Sequence, residues 1–274
     1  MGKTSQTWSF MRASWQVLKM DKKMLIFPLI SGICCLLVIV SFAMNVELSE
    51  NDALTTSDYV TLLLFYFCNY FVIVFFNSAI IACATIRMAG GDPKISDGFR
   101  AALTRLPLIA GWALVSASVG LVLRVIENRL EKAGDFVASL LGMAWTVMSF
   151  LVIPILVIEK KGPITAFKES TSLLKKTWGE QLVGNFSFGL VFFFLSLPAL
   201  LLIAAAVAGV FTFPLDPLIG IAIIILAVIY LIVLALIQST LQAIFQAAIY
   251  LYARDGEVSV GFESEMLRTA ISPR

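Results

Sequence analysis

Histidine is absent from the 274 residues, which excludes imidazole metal ligation and imidazole acid–base catalysis. Charge is scarce: Asp, Glu, Lys and Arg supply 14% of the chain, against about 25% in soluble domains. A soluble fold this poor in charge could not cover its own surface. The formal net charge of +2 gives nucleic-acid binding no electrostatic basis, so no nucleic-acid partner is expected. Cysteine is sparse too. Cys34, Cys35, Cys68 and Cys83 all fall inside apolar runs, where thiols act as small hydrophobes and carry no disulfide frame or zinc spacing. No polar stretch is long enough for a separate soluble domain, and the N-terminal segment reads as retained rather than as a cleavable signal.

What is abundant is apolar: 59% hydrophobic residues and a mean hydropathy of +0.93. A helix crosses a hydrocarbon core of about 30 Å with about 20 apolar residues. Six segments qualify, at 25–44, 60–86, 106–126, 136–158, 182–211 and 218–252. The last two exceed what a bilayer needs and are expected to tilt, to kink at Pro198 or to run past the membrane as helix. The fold class expected is all-α, a polytopic membrane protein whose 274 residues form one membrane domain.

Lys and Arg sort by side. The N-terminal segment, the second and fourth connections and the tail hold seventeen; the opposite connections hold Arg124, Arg129 and Lys132. By the positive-inside rule both termini are cytoplasmic, with a plasma (cytoplasmic) membrane location.

The chain also repeats itself. Pro28-Leu29-Ile30-Ser31-Gly32 opens the first span and Pro107-Leu108-Ile109-Ala110-Gly111 the third, with a weaker echo at Leu182-Val183-Gly184-Asn185-Phe186. After each even-numbered span a turn glycine (Gly91, Gly162, Gly256) leads to a β-branched residue, a Ser or Thr, and then a Phe. The hydroxyl is a suitable N-cap, so a short amphipathic helix is expected at 95–106, 163–178 and 257–270, matching one at 5–22. In the 163–178 wheel, Ile164, Phe167, Thr171, Leu174 and Trp178 share a face opposite Lys168, Glu169, Lys175 and Lys176. In the first helix Trp8, Met11, Trp15 and Leu18 align with Arg12 and Lys19 at the rim. Such helices suit the bilayer interface. The candidate lipid contacts are therefore Trp8, Arg12, Trp15, Lys19, Phe167, Lys168, Lys175, Lys176 and Trp178. The organisation is three hairpins, each preceded by an interfacial helix; chance likeness among ordinary polar connectors is the alternative.

This pattern of amphipathic helix, hairpin and Gly-to-Ser/Thr turn, with Ile153-Pro154-Ile155-Leu156-Val157-Ile158-Glu159 ending the fourth span, resembles a broad family of largely uncharacterised six-helix prokaryotic integral membrane proteins. That family includes the membrane-anchor domain of some glycerophosphoryl diester phosphodiesterases. The resemblance implies the six-helix fold over nearly the whole chain. It implies no phosphodiesterase activity, since the soluble catalytic domain has no counterpart here.

Ionisable side chains are essentially missing from mid-span, which argues against proton coupling, voltage sensing and intramembrane carboxylate chemistry. No serine has a histidine or membrane lysine to activate it, and Gly90-Gly91-Asp92 lacks the Lys-Ser/Thr of a phosphate loop. The expectation is a protein that is not an enzyme and holds no cofactor and no metal. Neutral polar residues remain: Asn69 and Asn77, and Gln238, Gln242 and Gln246 in one drifting stripe. They either hydrogen-bond between helices or line a polar path. The first reading goes with a module that organises or anchors lipids or envelope partners. It would draw anionic headgroups to its cytoplasmic face, and its expected partners include a protein partner or a second copy. The second goes with a small transporter or channel for a neutral or amphipathic solute, through Asn77, Gln238 and Gln242.

Overall fold

The structure is a computed structural model that describes residues 3–45, 55–129, 134–177, 188–212 and 217–256. The helix expected at 257–270, Trp178 and the start of the fifth span lie outside the described residues. In chain order the helices are α1 (Lys3–Met20), α2 (Ile26–Asn45), α3 (Thr56–Met88), α4 (Ile95–Thr104), α5 (Leu106–Arg129), α6 (Gly134–Met148), α7 (Val152–Ile158), α8 (Pro163–Thr177), α9 (Phe188–Thr212) and α10 (Pro217–Asp255), with a short 3₁₀ turn at Lys22–Leu25. There is no strand among the described residues. Six helical stretches are long and apolar enough to cross a membrane: Lys22–Met44, Thr56–Met88, Leu106–Arg129, Gly134–Ile158, Val191–Gly209 and Leu218–Arg254. The chain is an all-α polytopic membrane protein.

Local chemistry sets the ends. Thr55 and Asp58 form a reciprocal cap on α3: the Thr55 N–H donates to Asp58 Oδ2 at 2.7 Å and the Asp58 N–H to Thr55 Oγ1 at 3.4 Å. At the other end of the even-numbered spans the chain turns through a left-handed residue: Gly90 (φ 84°), Lys160 (φ 57°) and Gly256 (φ 68°). Glycine adopts this conformation freely; lysine does so against its Cβ.

α3 is the hub, packing against α2, α4, α5, α7 and α10. The well-buried core lies toward one end, the end that carries α1 and is here called proximal. Ile80, Ile81 and Ala84 of α3, Leu151, Ile155 and Leu156 at α7, and Ile244, Ala247 and Ala248 of α10 are all sealed from solvent in one cluster. The three helices meet pairwise there. Toward the distal end, large apolar side chains such as Leu37, Leu64, Leu140 and Leu226 stand exposed, as suits a lipid solvent.

The short helices lie against the proximal ends of the even-numbered spans: α4 on α3, α8 on α7, α1 on α10. Small residues make the close approaches. A Cβ on Gly98 of α4 would sit 2.6 Å from Phe27 Cζ and 3.0 Å from the Ala79 carbonyl oxygen. In α8 the buried stripe is Ala166, Ser170 and Leu174. Ile164, which the wheel groups with the apolar face, is 55% exposed. In α1 the buried residues are Met11, Ala13, Ser14, Val17 and Leu18, and Trp15 is left out with Lys19. The wheels weight bulky side chains, whereas the packed faces are set by how near a small residue lets two backbones come.

Candidate functional site

Among the candidate amides, Asn69 is satisfied within its own helix, its Nδ2 donating to the Phe65 carbonyl at 2.9 Å. Asn77, Gln238, Gln242 and Gln246 are half-buried and have no side-chain hydrogen-bond partner among the described residues. No amide-to-amide bridge between helices is seen among the described residues. Gln238 lines a groove of about 300 Å³ between α9 and α10, with Ser196, Phe192 and Leu234 among its walls. Asn77 and Gln242 do not line it. The structure therefore does not join the three residues of the suggested path in one described space.

The fourth span is not one rod. α6 stops at Met148, and α7 resumes at Val152. Pro154, in the first turn of α7, has no N–H to give Phe150 and crowds that carbonyl, so the ladder fails one turn upstream. The break orphans a carbonyl and an N–H, and both are met by a single hydroxyl from α8. Ser170 Oγ donates to the Met148 carbonyl at 2.7 Å and accepts from the Leu151 N–H at 3.2 Å. Ser170 is fully buried. Irregular backbone at membrane depth is tolerated where protein groups satisfy it in this way. Pro154 was a visible signal for this break; Ser170 was not, because nothing in the sequence ties it to a position some twenty residues upstream.

Beside the break, Phe167 stacks on Trp145 (centroids 5.0 Å) and Trp112 (6.0 Å), and those indoles stack on each other at 5.4 Å. Of the candidate headgroup contacts, Phe167 is thus turned toward protein, because α8 presents it to the α5–α6 hairpin. Arg12, Trp15, Lys19, Lys168 and Lys175 are exposed, and the Lys19 ammonium lies 5.8 Å from the Trp15 ring centre. The side chains of Trp8 and Lys176 lie outside the described ones.

The proximal end has an uneven charge economy. Arg87 holds both Asp21, at 3.3 Å, and Asp92. Asp97 Oδ2 accepts the Lys94 backbone N–H at 2.8 Å. Lys161 bridges Glu159 and Glu169, the latter at 2.7 Å, and Glu159 also accepts from the Tyr250 hydroxyl. The two carboxylates, Glu159 foremost, hold Lys161 above its ordinary pKa. Asp21, Asp92, Asp97, Glu159 and Glu169 are thus all engaged. Arg12, Lys19, Lys22, Lys23, Lys94, Arg100, Lys160, Lys168 and Lys175 are exposed, with no carboxylate partner among the described residues. The sequence shows how many cations lie on this side; only the structure shows that its described acids are already engaged. No group of three His, Cys, Asp or Glu side chains converges among the described residues.

Six apolar crossings, a packed proximal core and a basic rim define the class: an integral membrane protein. Residues 56–261 match the "Family of unknown function (DUF6159)", and the chain belongs to that family. No curated protein and no solved structure matches it, and no link to the phosphodiesterase anchors is found.

Proposed function

We propose that the protein is a non-enzymatic membrane module that organises or anchors lipids or envelope partners. In this reading it sits in the plasma membrane with both termini cytoplasmic, and its proximal rim attracts anionic headgroups at about 1 kcal/mol per surface cation. The observation that carries it is the rim itself, where Asp21, Asp92, Glu159 and Glu169 are held in ion pairs and nine exposed cations have no carboxylate partner among the described residues. The likeness in pattern to six-helix anchor domains, and the threefold succession of short helix and hairpin, point the same way. The test is Lys168, Lys175 and Lys176 changed together to Gln in the full chain. Preference for anionic over zwitterionic lipid, read by spin-labelled lipid selectivity in bilayers, is expected to fall and its salt dependence to flatten. Unchanged selectivity and unchanged partner recovery would end the proposal.

A second reading, a small transporter or channel for a neutral or amphipathic solute, is favoured by one observation. Asn77, Gln238, Gln242 and Gln246 keep amides without protein partners among the described residues, and unpaired polar groups in hydrocarbon are costly. Single cysteines at Asn77 and Gln242, in a background freed of the four native thiols, separate the two. Fast reaction with a membrane-impermeant maleimide supports a watery path, and no reaction removes it.

A further inference from the structure

We infer that the elbow between α4 and α5 is a binding site for the phosphate of an anionic lipid, with Arg105 as its anchor. The inference deepens the anchoring function and rests on it. Arg105 caps the end of α4, its Nη1 donating to the Ala101 carbonyl at 2.9 Å and to Thr104 Oγ1 at 3.1 Å. That uses one nitrogen of the fork. Nε is buried without an acceptor, and Nη2 makes no bond within the described structure. No carboxylate among the described residues pairs with the group. Burial is the sole cause acting on it and pushes the guanidinium below its ordinary value. Arg87, whose Nε is likewise buried without an acceptor, differs in that two aspartates hold its guanidinium.

A half-buried guanidinium whose Nη2 is spare and which has no carboxylate partner among the described residues is a costly arrangement unless an anion completes it at that nitrogen. Guanidinium matches phosphate in shape as well as charge. The flanks say where that anion comes from. Leu103 is 58% exposed and Leu106 39% exposed on either side of Arg105 in sequence, and Pro107 is exposed next to them. A free phosphate gains nothing from such neighbours, whereas a phospholipid lays its chains along them. The elbow also opens the third span, at the bilayer level where a lipid phosphate resides.

The test is a titration of the full-length, delipidated protein with phosphatidylglycerol or phosphatidylcholine, read as bound lipid by native mass spectrometry. The unaltered chain is expected to take one phosphatidylglycerol well before further lipids. R105Q should weaken that first step about tenfold, the scale of one charge-assisted contact. R105K, which keeps the charge but not the fork, should fall between. L103S/L106S should weaken lipid binding while leaving the guanidinium intact, and inorganic phosphate should not displace the lipid. If R105Q and R105K both bind the first lipid as the unaltered chain does, Arg105 is only the cap of α4 and the inference is overturned. Displacement by inorganic phosphate at comparable concentration also overturns it, since the source would then be a free anion. Where R105Q does not fold, R105K and L103S/L106S still decide. Loss of anionic preference in the Lys168/Lys175/Lys176 variant, with the first lipid retained in R105Q, would sink this site and leave the anchoring function standing. An unaltered chain indifferent to lipid charge would sink both.

Discussion

A single hydroxyl carries an unusual share of the proximal structure. Ser170 answers two orphaned backbone groups at once, the Leu151 N–H fully buried and the Met148 carbonyl partly so. An alanine there leaves the Met148 carbonyl and the Leu151 N–H unpaired, and each buried unsatisfied group costs about 1–3 kcal/mol. Ser170→Ala is therefore expected to lower stability by at least that amount, with Ser170→Thr losing less because it keeps the hydroxyl. Equilibrium unfolding by SDS in mixed micelles measures it. An Ala variant indistinguishable from the unaltered chain would mean that the broken span finds another partner. Lys161 makes the second residue-scale prediction. Its pKa is raised by Glu159 and Glu169, so its contribution is whole below the ordinary value of 10.5 and fades as pH climbs through the raised one. Stability should be flat in this respect from pH 6 to about 9 and should decline only above roughly 10.5. K161Q should remove that alkaline limb. A loss already present near pH 7.5 would contradict the assignment.

At the scale of elements, the helices were legible because their period and length are imposed by the bilayer. A run such as 218–237 admits no other reading. Less legible was which face each short helix buries. Hydrophobicity pointed to Met11, Leu18 and Leu174, which are buried, but also to Ile164 and Trp15, which are exposed, and it passed over the buried Ala13, Ser14, Ala166 and Ser170. In lipid the apolar transfer term is weak, so packing follows backbone proximity, and that rewards small residues. Gly98 is the sharpest case. Any Cβ there meets Phe27, Cys83 and the backbone of Ala79 at 3.0 Å or less, and Ala79 cannot yield as a side-chain tip could. Gly98→Val is expected to separate α4 from α3 and cost about 1–3 kcal/mol. Proteolysis of the 89–94 turn should accelerate in the variant; an unchanged cleavage rate would show that α4 moves without penalty. The candidate amides were readable as residues but not as a site, because whether an amide is paired depends on neighbours brought by other spans.

For the whole molecule, the distribution of burial sets what holds it together. The sealed side chains gather toward the proximal end, on α3, α7 and α10, while α6 and the distal stretches of α3 and α10 present leucine and isoleucine outward. In water, trimming either set would cost transfer free energy. In a bilayer the outward set rests against hydrocarbon both folded and unfolded, so only the cavity term distinguishes the two. Ile155, fully buried, leaves a void when cut to alanine, at about 24 cal/mol per Å³, or roughly 1–2 kcal/mol for three carbons. Leu37 is 65% exposed, and lipid chains fill the space it vacates. Ile155→Ala should therefore destabilise measurably in bilayers while Leu37→Ala stays within about 0.5 kcal/mol of the unaltered chain. Steric-trap unfolding in bicelles reads both variants in one experiment. Equal losses at the two positions would mean that the distal helices are held by a packed partner rather than bathed in lipid. The proximal core would then no longer be the part that organises the fold.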